Sequence, residues 1–355
     1  MNCDKSSRLK LIRLGGVIFL LILIVIRFNL GQNTRATQFL PDFFLRFFLA
    51  LKQRINFGLS KIIPEPQLSL MKSLFFGGKA NLPFEIKKQI RKVGLSHLIA
   101  VSGLHLTIVT QIISSCLNAL LLTGFLNFLL SVFFILGFTV MADFSASVVR
   151  AAIMAILLLI ARLNHRLYNS SFALIVAVLL MLLFNPRIMI EDFGFQLSVL
   201  ATLGIVYFYP VFEKWSFWQK DIFKSQLAFL KETLLLSFSA LVFVTPWIIY
   251  QTQVFSLVTP LTNLLIVPLV PIIMVFGFLV ALLNFIFFPL ALLLGFCLNL
   301  LLSYMLKIIA LFSQWPMAEI LFPHFKAIWL IIYYLLLIYY LYYERRKRII
   351  LKERN

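Results

Sequence analysis

Long apolar runs separated by short polar stretches recur along the chain, at about 11–30, 96–118, 122–142, 146–163, 169–184, 193–210, 229–250, 257–283, 287–311 and 325–343. A helix needs roughly 20 apolar residues to cross a hydrocarbon core. Backbone polar groups cannot stay unpaired in lipid, so runs of this kind predict helices. The pattern predicts an all-α polytopic integral membrane protein of about ten transmembrane helices, with 169–184 the shortest. The run at 11–30 is too long for a signal-peptide core and lacks a small-residue cleavage pattern, so it is expected to stay as an anchor.

Two stretches before the second span have a different texture. Residues 41–63 mix Phe and Leu with Arg46, Lys52, Arg54 and Lys61. Residues 83–93 put Ile86, Ile90 and Val93 on one helical face and Lys87, Lys88, Arg91 and Lys92 mostly on the other. Both predict amphipathic helices in the headgroup plane, where they attract the anionic headgroups of membrane lipids or another polyanion. Further on, the run PLTNLLIVPLVP holds Pro260, Pro268 and Pro271. Each proline removes a backbone donor, which predicts a broken helix lining a cavity or packed on protein, or else a simple kink. The expected organisation is an N-terminal anchor at 1–30, an amphipathic interfacial segment at 31–94, a core of spans at 95–285, further spans at 286–343 and a basic tail at 344–355.

Composition agrees. Of the residues, 62% are hydrophobic and 13% charged, against about 25% charged in a soluble domain, which excludes the soluble class. The net charge of +19 fits first the basic cytoplasmic loops of a membrane protein, with a nucleic-acid partner as the alternative. The Lys/Arg bias orients the chain: Lys5, Arg8, Lys10 and Arg13 before the first span and Arg345, Arg346, Lys347, Arg348, Lys352 and Arg354 after the last put both termini in the cytoplasm. Segment 31–95 then lies outside despite its many cations, an exception that long segments allow. Cys3, Cys116 and Cys297 have no disulfide-framework or zinc spacing, and no cofactor or metal site is expected.

Polar groups at membrane depth are costly and are the candidates for function. They fall into three clusters. In GLSHLIAVSGLH, one helix would carry His97 and His105 near one stripe, with Ser102 three residues before His105 and Gly103 permitting close helix approach. In DFSASVVRAAIM, Arg150 stands about a turn inside a helix of small and apolar residues and requires a carboxylate, water or a polyanion. In NPRIMIEDFGFQLS, Asp192 and Gln196 share a face, with Ser198 two residues on. The structural alternatives are an interhelical hydrogen-bond set for the first, an Arg150 ion pair to Asp143 or Asp192 for the second, and helix capping by Asp192 for the third.

GLSHLIAVSGLHL, SASVVRAAIM, NPRIMIEDFGFQLSVLATLGI and the later LTNLLIVPLV, with Asn263 and Pro268, resemble in that order the signature segments of the ComEC competence proteins, over roughly residues 65–285. That resemblance implies a channel in the cytoplasmic membrane that passes single-stranded DNA during natural transformation, lined by His97, Ser102, Gly103, His105, Arg150, Asp192, Gln196, Ser198 and Asn263. Long members also carry an oligonucleotide-binding β domain and a metallo-β-lactamase-like domain. Neither is legible here, where the four histidines include no HxH. The expectation is a non-enzymatic channel core, with any nuclease, DNA receptor or helicase supplied as a separate polypeptide and an oligomer compatible with the sequence. Two other functions stay open: a small-solute or lipid transporter built on the broken helix, and an intramembrane serine hydrolase using Ser102 with His97 or His105, for which no oxyanion site is visible.

Overall fold

The computed structural model describes residues 41–353 apart from 78–81, 100–102, 122–123, 215–227, 317 and 323–324. The described residues are almost wholly helical. In chain order they form α1 (Asp42–Ser60), α2 (Gln67–Phe76), α3 (Phe84–Lys92), α4 (Ser96–Ile99), α5 (Gly103–Ala119), α6 (Gly124–Met141), α7 (Ala146–Leu163), α8 (Ser170–Phe184), α9 (Ile188–Glu191), α10 (Phe193–Phe212), α11 (Ala228–Thr252), α12 (Thr259–Ile266), α13 (Leu269–Ile286), α14 (Phe288–Ser313) and α15 (Ala327–Glu353). A two-residue ribbon, β1 (Val254–Phe255) against β2 (Ile320–Leu321), ties the α11–α12 loop to the α14–α15 loop.

Seven helices among the described residues are long and apolar enough to span: Gly124–Met141, Ala146–Leu163, Phe193–Phe212, Leu234–Thr252, Leu269–Ile286, Phe288–Ser313 and Ala327–Glu344. The chain is a multi-pass membrane protein. Of the other three expected spans, 11–30 lies outside the described residues, 169–184 becomes the 15-residue α8, and 96–118 becomes the short α4 and the 17-residue α5. The run at 257–283 is broken as expected, and the prolines sit at helix starts. Pro260 opens α12, Pro268 is the N-cap of α13, and Pro271 lies in its first turn. There the missing N–H costs no helix bond.

Segment 31–94 departs from a purely interfacial layer. In α2, Leu68, Leu70, Met71, Leu74, Phe75 and Phe76 are all buried, and Met71 and Phe75 lie where a side chain at Gly277 of α13 would stand. Several polar groups of α2 find partners: Ser69 donates to Glu65, Ser73 to the Ser69 carbonyl, and Gln67 through Nε2 to Ser303 of α14, while Gln67 Oε1 has no hydrogen-bond partner among the described residues. In α1, Phe48 is 1% exposed and seats against Gly137 of α6. Lys52 of α1 grips both carboxylate oxygens of Asp143 at 2.8 and 2.9 Å. Asp143 and Phe144 both have left-handed φ, 54° and 51°, so this pair braces the turn that launches α7.

The buried side chains divide into a large cluster and two small ones. The large one joins α1 to α7 with α12 to α14. Phe208, Phe243 and Leu337 form a separate cluster between α10, α11 and α15. A third, Ala146, Met181 and Phe195, links the start of α7 to α8 and α10. The α10–α11 contact is close: a methyl on Gly204 would overlap the Ser239 carbonyl. Pro246 inside α11 deprives the Val242 carbonyl of its helix donor. The Tyr333 hydroxyl of α15 supplies one at 3.0 Å, and Tyr334 donates to the Phe243 carbonyl at 2.7 Å. An orphaned carbonyl at this depth would cost about 1–3 kcal/mol.

Candidate functional site

Arg150 lies on the fifth residue of α7, roughly 6 Å below the helix start at 1.5 Å per residue. It is 7% exposed. Its Nε donates to Ser198 Oγ at 2.9 Å and Nη1 to Thr202 Oγ1, with the Met154 sulfur 3.4 Å from Nη1. Nη2 lies on the side of Gly103 at the start of α5: a methyl on Gly103 would stand 3.5 Å from it. Three helix starts therefore meet at one level. Ser147 donates to the Gly194 carbonyl at 3.4 Å, a second tie between the first turns of α7 and α10.

Among the described residues, no ion pair neutralises this guanidinium. Of the two expected carboxylates, Asp143 is engaged by Lys52. Asp192 is the N-cap of α10 and accepts from the Phe195 N–H at 2.7 Å. Capping satisfies that carboxylate and complements the helix dipole. The guanidinium thus rests on neutral hydroxyls at the boundary between the large cluster, which includes Val148 and Ala152 of its own helix, and the helices around α10 and α11.

The structure separates the other expected residues. Gln196 does not face Arg150. Residues 196 and 198 stand about 200° apart on a helix of 3.6 residues per turn, so the helix that gives Ser198 to Arg150 turns Gln196 to α11. There Gln196 accepts from the Trp247 indole at 3.0 Å and donates to the Met189 and Ile190 carbonyls, pinning α9 to α10. Asn185 and Asp192 line a recess of about 440 Å³ with Ile188, Glu191 and Phe193, next to that pin. His97 is exposed on α4, its Nδ1 3.2 Å from the Gly94 carbonyl. His105 is fully buried in α5. The single stripe expected to join them runs through 100–102, and these, with Ser102, lie outside the described residues. Asn263 is 3% exposed in α12, its Oδ1 without a hydrogen-bond partner among the described residues. Beside it Thr262 donates to the Val93 carbonyl at 3.0 Å.

Thr202 was not foreseen. The signal was available, since it sits one turn after Ser198 on the same face, and its hydroxyl also donates to the Ser198 carbonyl at 2.9 Å. Gly103, expected to allow close approach, leaves ordinary contact distance around a methyl. Closer approaches occur at Gly58, Gly94, Gly137, Gly204, Gly277 and Gly295 instead.

A family model described as "Competence protein" matches residues 74–347. The chain belongs to the competence protein family. The match takes in all four segments that carried the resemblance and continues to the last spanning helix. Among curated proteins, ComE operon protein 3 of Bacillus subtilis (strain 168) is 25% identical over 228 residues, which is 64% of this chain and 28% of that protein. An uncharacterized protein of Aquifex aeolicus (strain VF5) is 34% identical over 184 residues, 52% of this chain and 42% of the relative. The chain thus aligns with less than half the length of either relative. No solved structure matches it.

Proposed function

We propose that this competence-family chain is a non-enzymatic path by which single-stranded DNA crosses the cytoplasmic membrane, and that the seam around Arg150 is the part that meets the phosphate backbone. The observation that carries this is a buried guanidinium held by Ser198 and Thr202 and by no carboxylate among the described residues. A cation at membrane depth without an anionic partner is expensive unless its work requires the charge. Arg offers a planar fork suited to phosphate and keeps its charge at any working pH. Hydroxyls hold the fork in place and give way to phosphate oxygens more readily than an ion pair would. Passage requires the helices on the two sides of the seam to part, which would also open the small cluster of Ala146, Met181 and Phe195 that joins α7 to α10. His97, Ser102, Gly103, His105 and Asn263 belong to the same path in this proposal, with Asp192 and Gln196 fixing the loop at its edge.

The test is flux. In vesicles reconstituted with the full chain, fluorescent oligodeoxythymidylate added outside becomes protected from external nuclease, and protein-free vesicles show no protection. Solute flux without oligonucleotide protection would instead favour the small-solute transporter. Both termini are proposed to be cytoplasmic, which places the starts of α5, α7 and α10 at the outer surface. A reporter fused after Asn355 should be active only in its cytoplasmic form, and activity outside the cell would invert the path.

A further inference from the structure

The helix α3 has a basic face that the path around Arg150 does not use. Lys88 and Arg91 are exposed and Lys87 and Lys92 half-exposed, and none of the four pairs with a carboxylate among the described residues. Phe84, the first residue of the helix, is 75% exposed beside them. A basic amphipathic helix ordinarily signals a membrane surface, because its apolar face wedges among the headgroups. Here that face is already occupied. Ile90 is 1% and Val93 0% exposed, and Ile90 belongs to the same buried apolar cluster as Leu70, Leu74, Leu95, Met305 and Ile309. The protein itself has taken the wedge, leaving a row of cations turned outward.

The position of α3 is equally specific. The carbonyl of its C-cap, Val93, accepts from Thr259 and Thr262 at the start of α12. The start of α12 follows the end of α11, and that end lies against the start of α10 through Trp247 and Gln196. The start of α10 meets the start of α7 at Arg150. So α3 sits at the same end of the bundle as the mouth of the seam. In the proposed orientation that end faces outward, where the Lys/Arg bias disfavours four cations.

We propose that α3 is a docking rail for the sugar–phosphate backbone of incoming single-stranded DNA, which it gathers at the mouth and passes toward Arg150. This rests on the proposed function. A line of cations with an aromatic ring at its end is the combination that binds single strands without reading sequence: charges track the phosphates and the ring stacks on a base. Anionic lipid headgroups offer the same charge in another macromolecule, and the experiment separates the two.

The full chain is placed in nanodiscs of neutral phosphatidylcholine, and its binding of fluorescent oligodeoxythymidylate is followed by anisotropy at several salt concentrations. The variant Lys87→Gln/Lys88→Gln/Arg91→Gln/Lys92→Gln is expected to bind at least about tenfold more weakly near 0.1 M salt, with the slope of log K against log salt reduced by about 3, since each lost contact to a single strand removes about 0.7. Lys88→Gln/Arg91→Gln, which alters only the two exposed cations, should give about half that change in slope and stands in if the quadruple variant folds poorly. A variant that binds with unchanged affinity and slope while the wild type binds normally overturns the rail and leaves the path intact. A variant that binds DNA normally but loses retention on phosphatidylglycerol vesicles makes α3 a lipid contact and also overturns it. A wild type that binds no oligonucleotide overturns the rail and the proposed function together.

Discussion

Replacing Arg150 with alanine is expected to reduce DNA uptake per correctly inserted molecule by roughly ten- to a hundredfold, the loss of one charged hydrogen-bonded contact worth about 1.5–3 kcal/mol. The comparison must be made per inserted molecule, because a membrane arginine can matter for two reasons. If it were half of a buried ion pair, its removal would strand a carboxylate and lower the amount of folded protein. Its partners point the other way. Asp143 keeps Lys52, Asp192 keeps the Phe195 N–H, and Thr202 retains its bond to the Ser198 carbonyl. Among the described residues, only the bonds to two hydroxyls and the Met154 sulfur are lost, so the quantity of inserted protein should change little. Arg150→Lys keeps the charge without the fork and should fall between wild type and alanine. Low expression with normal uptake per molecule would show the arginine to be structural.

Gly204→Ala is expected to deplete the folded protein itself. The added methyl would overlap the Ser239 carbonyl and crowd the Phe243 ring at 3.2 Å. A backbone carbonyl cannot rotate aside as a flexible side chain does, so α10 and α11 must separate or tilt. Overpacking of this kind costs typically about 1–3 kcal/mol. The measurement is thermal unfolding in detergent, followed by the monodisperse fraction on size exclusion. Gly103→Ala is the matched control, since its methyl meets nothing closer than 3.5 Å among the described residues. Equal melting temperatures for Gly204→Ala and wild type would mean that the two helices do not pack as described.

Most of the bundle was legible because membrane spans announce themselves by length and apolarity, and seven of the expected runs are spanning helices. The broken helix was legible for a similar reason, as proline has one strong effect on a backbone. What escaped was whatever depended on partners distant in sequence. The stretch QLSLMKSLFF of α2 is short and four-tenths polar, and nothing local reveals that Ser303 receives its glutamine while α13 and α14 bury the apolar remainder. The site divided in the same way. That a lone arginine required a partner was plain from its apolar surroundings, yet the partner was selected by charge, whereas the fold supplied hydroxyls. Placing Gln196 with Arg150 was avoidable, since two residues of helix separation put it on the opposite face from Ser198.

The proline in α11 and the tyrosine that remedies it stand far apart in the order of synthesis. Val242 and Tyr333 are separated by 91 residues, so the proline-bearing helix enters the bilayer well before its missing donor has been translated. Until α15 arrives, α11 carries a bare carbonyl among apolar neighbours. A product stopped short of Tyr333 therefore bears a chemical mark of being unfinished, one that disappears only when the last spanning helix docks.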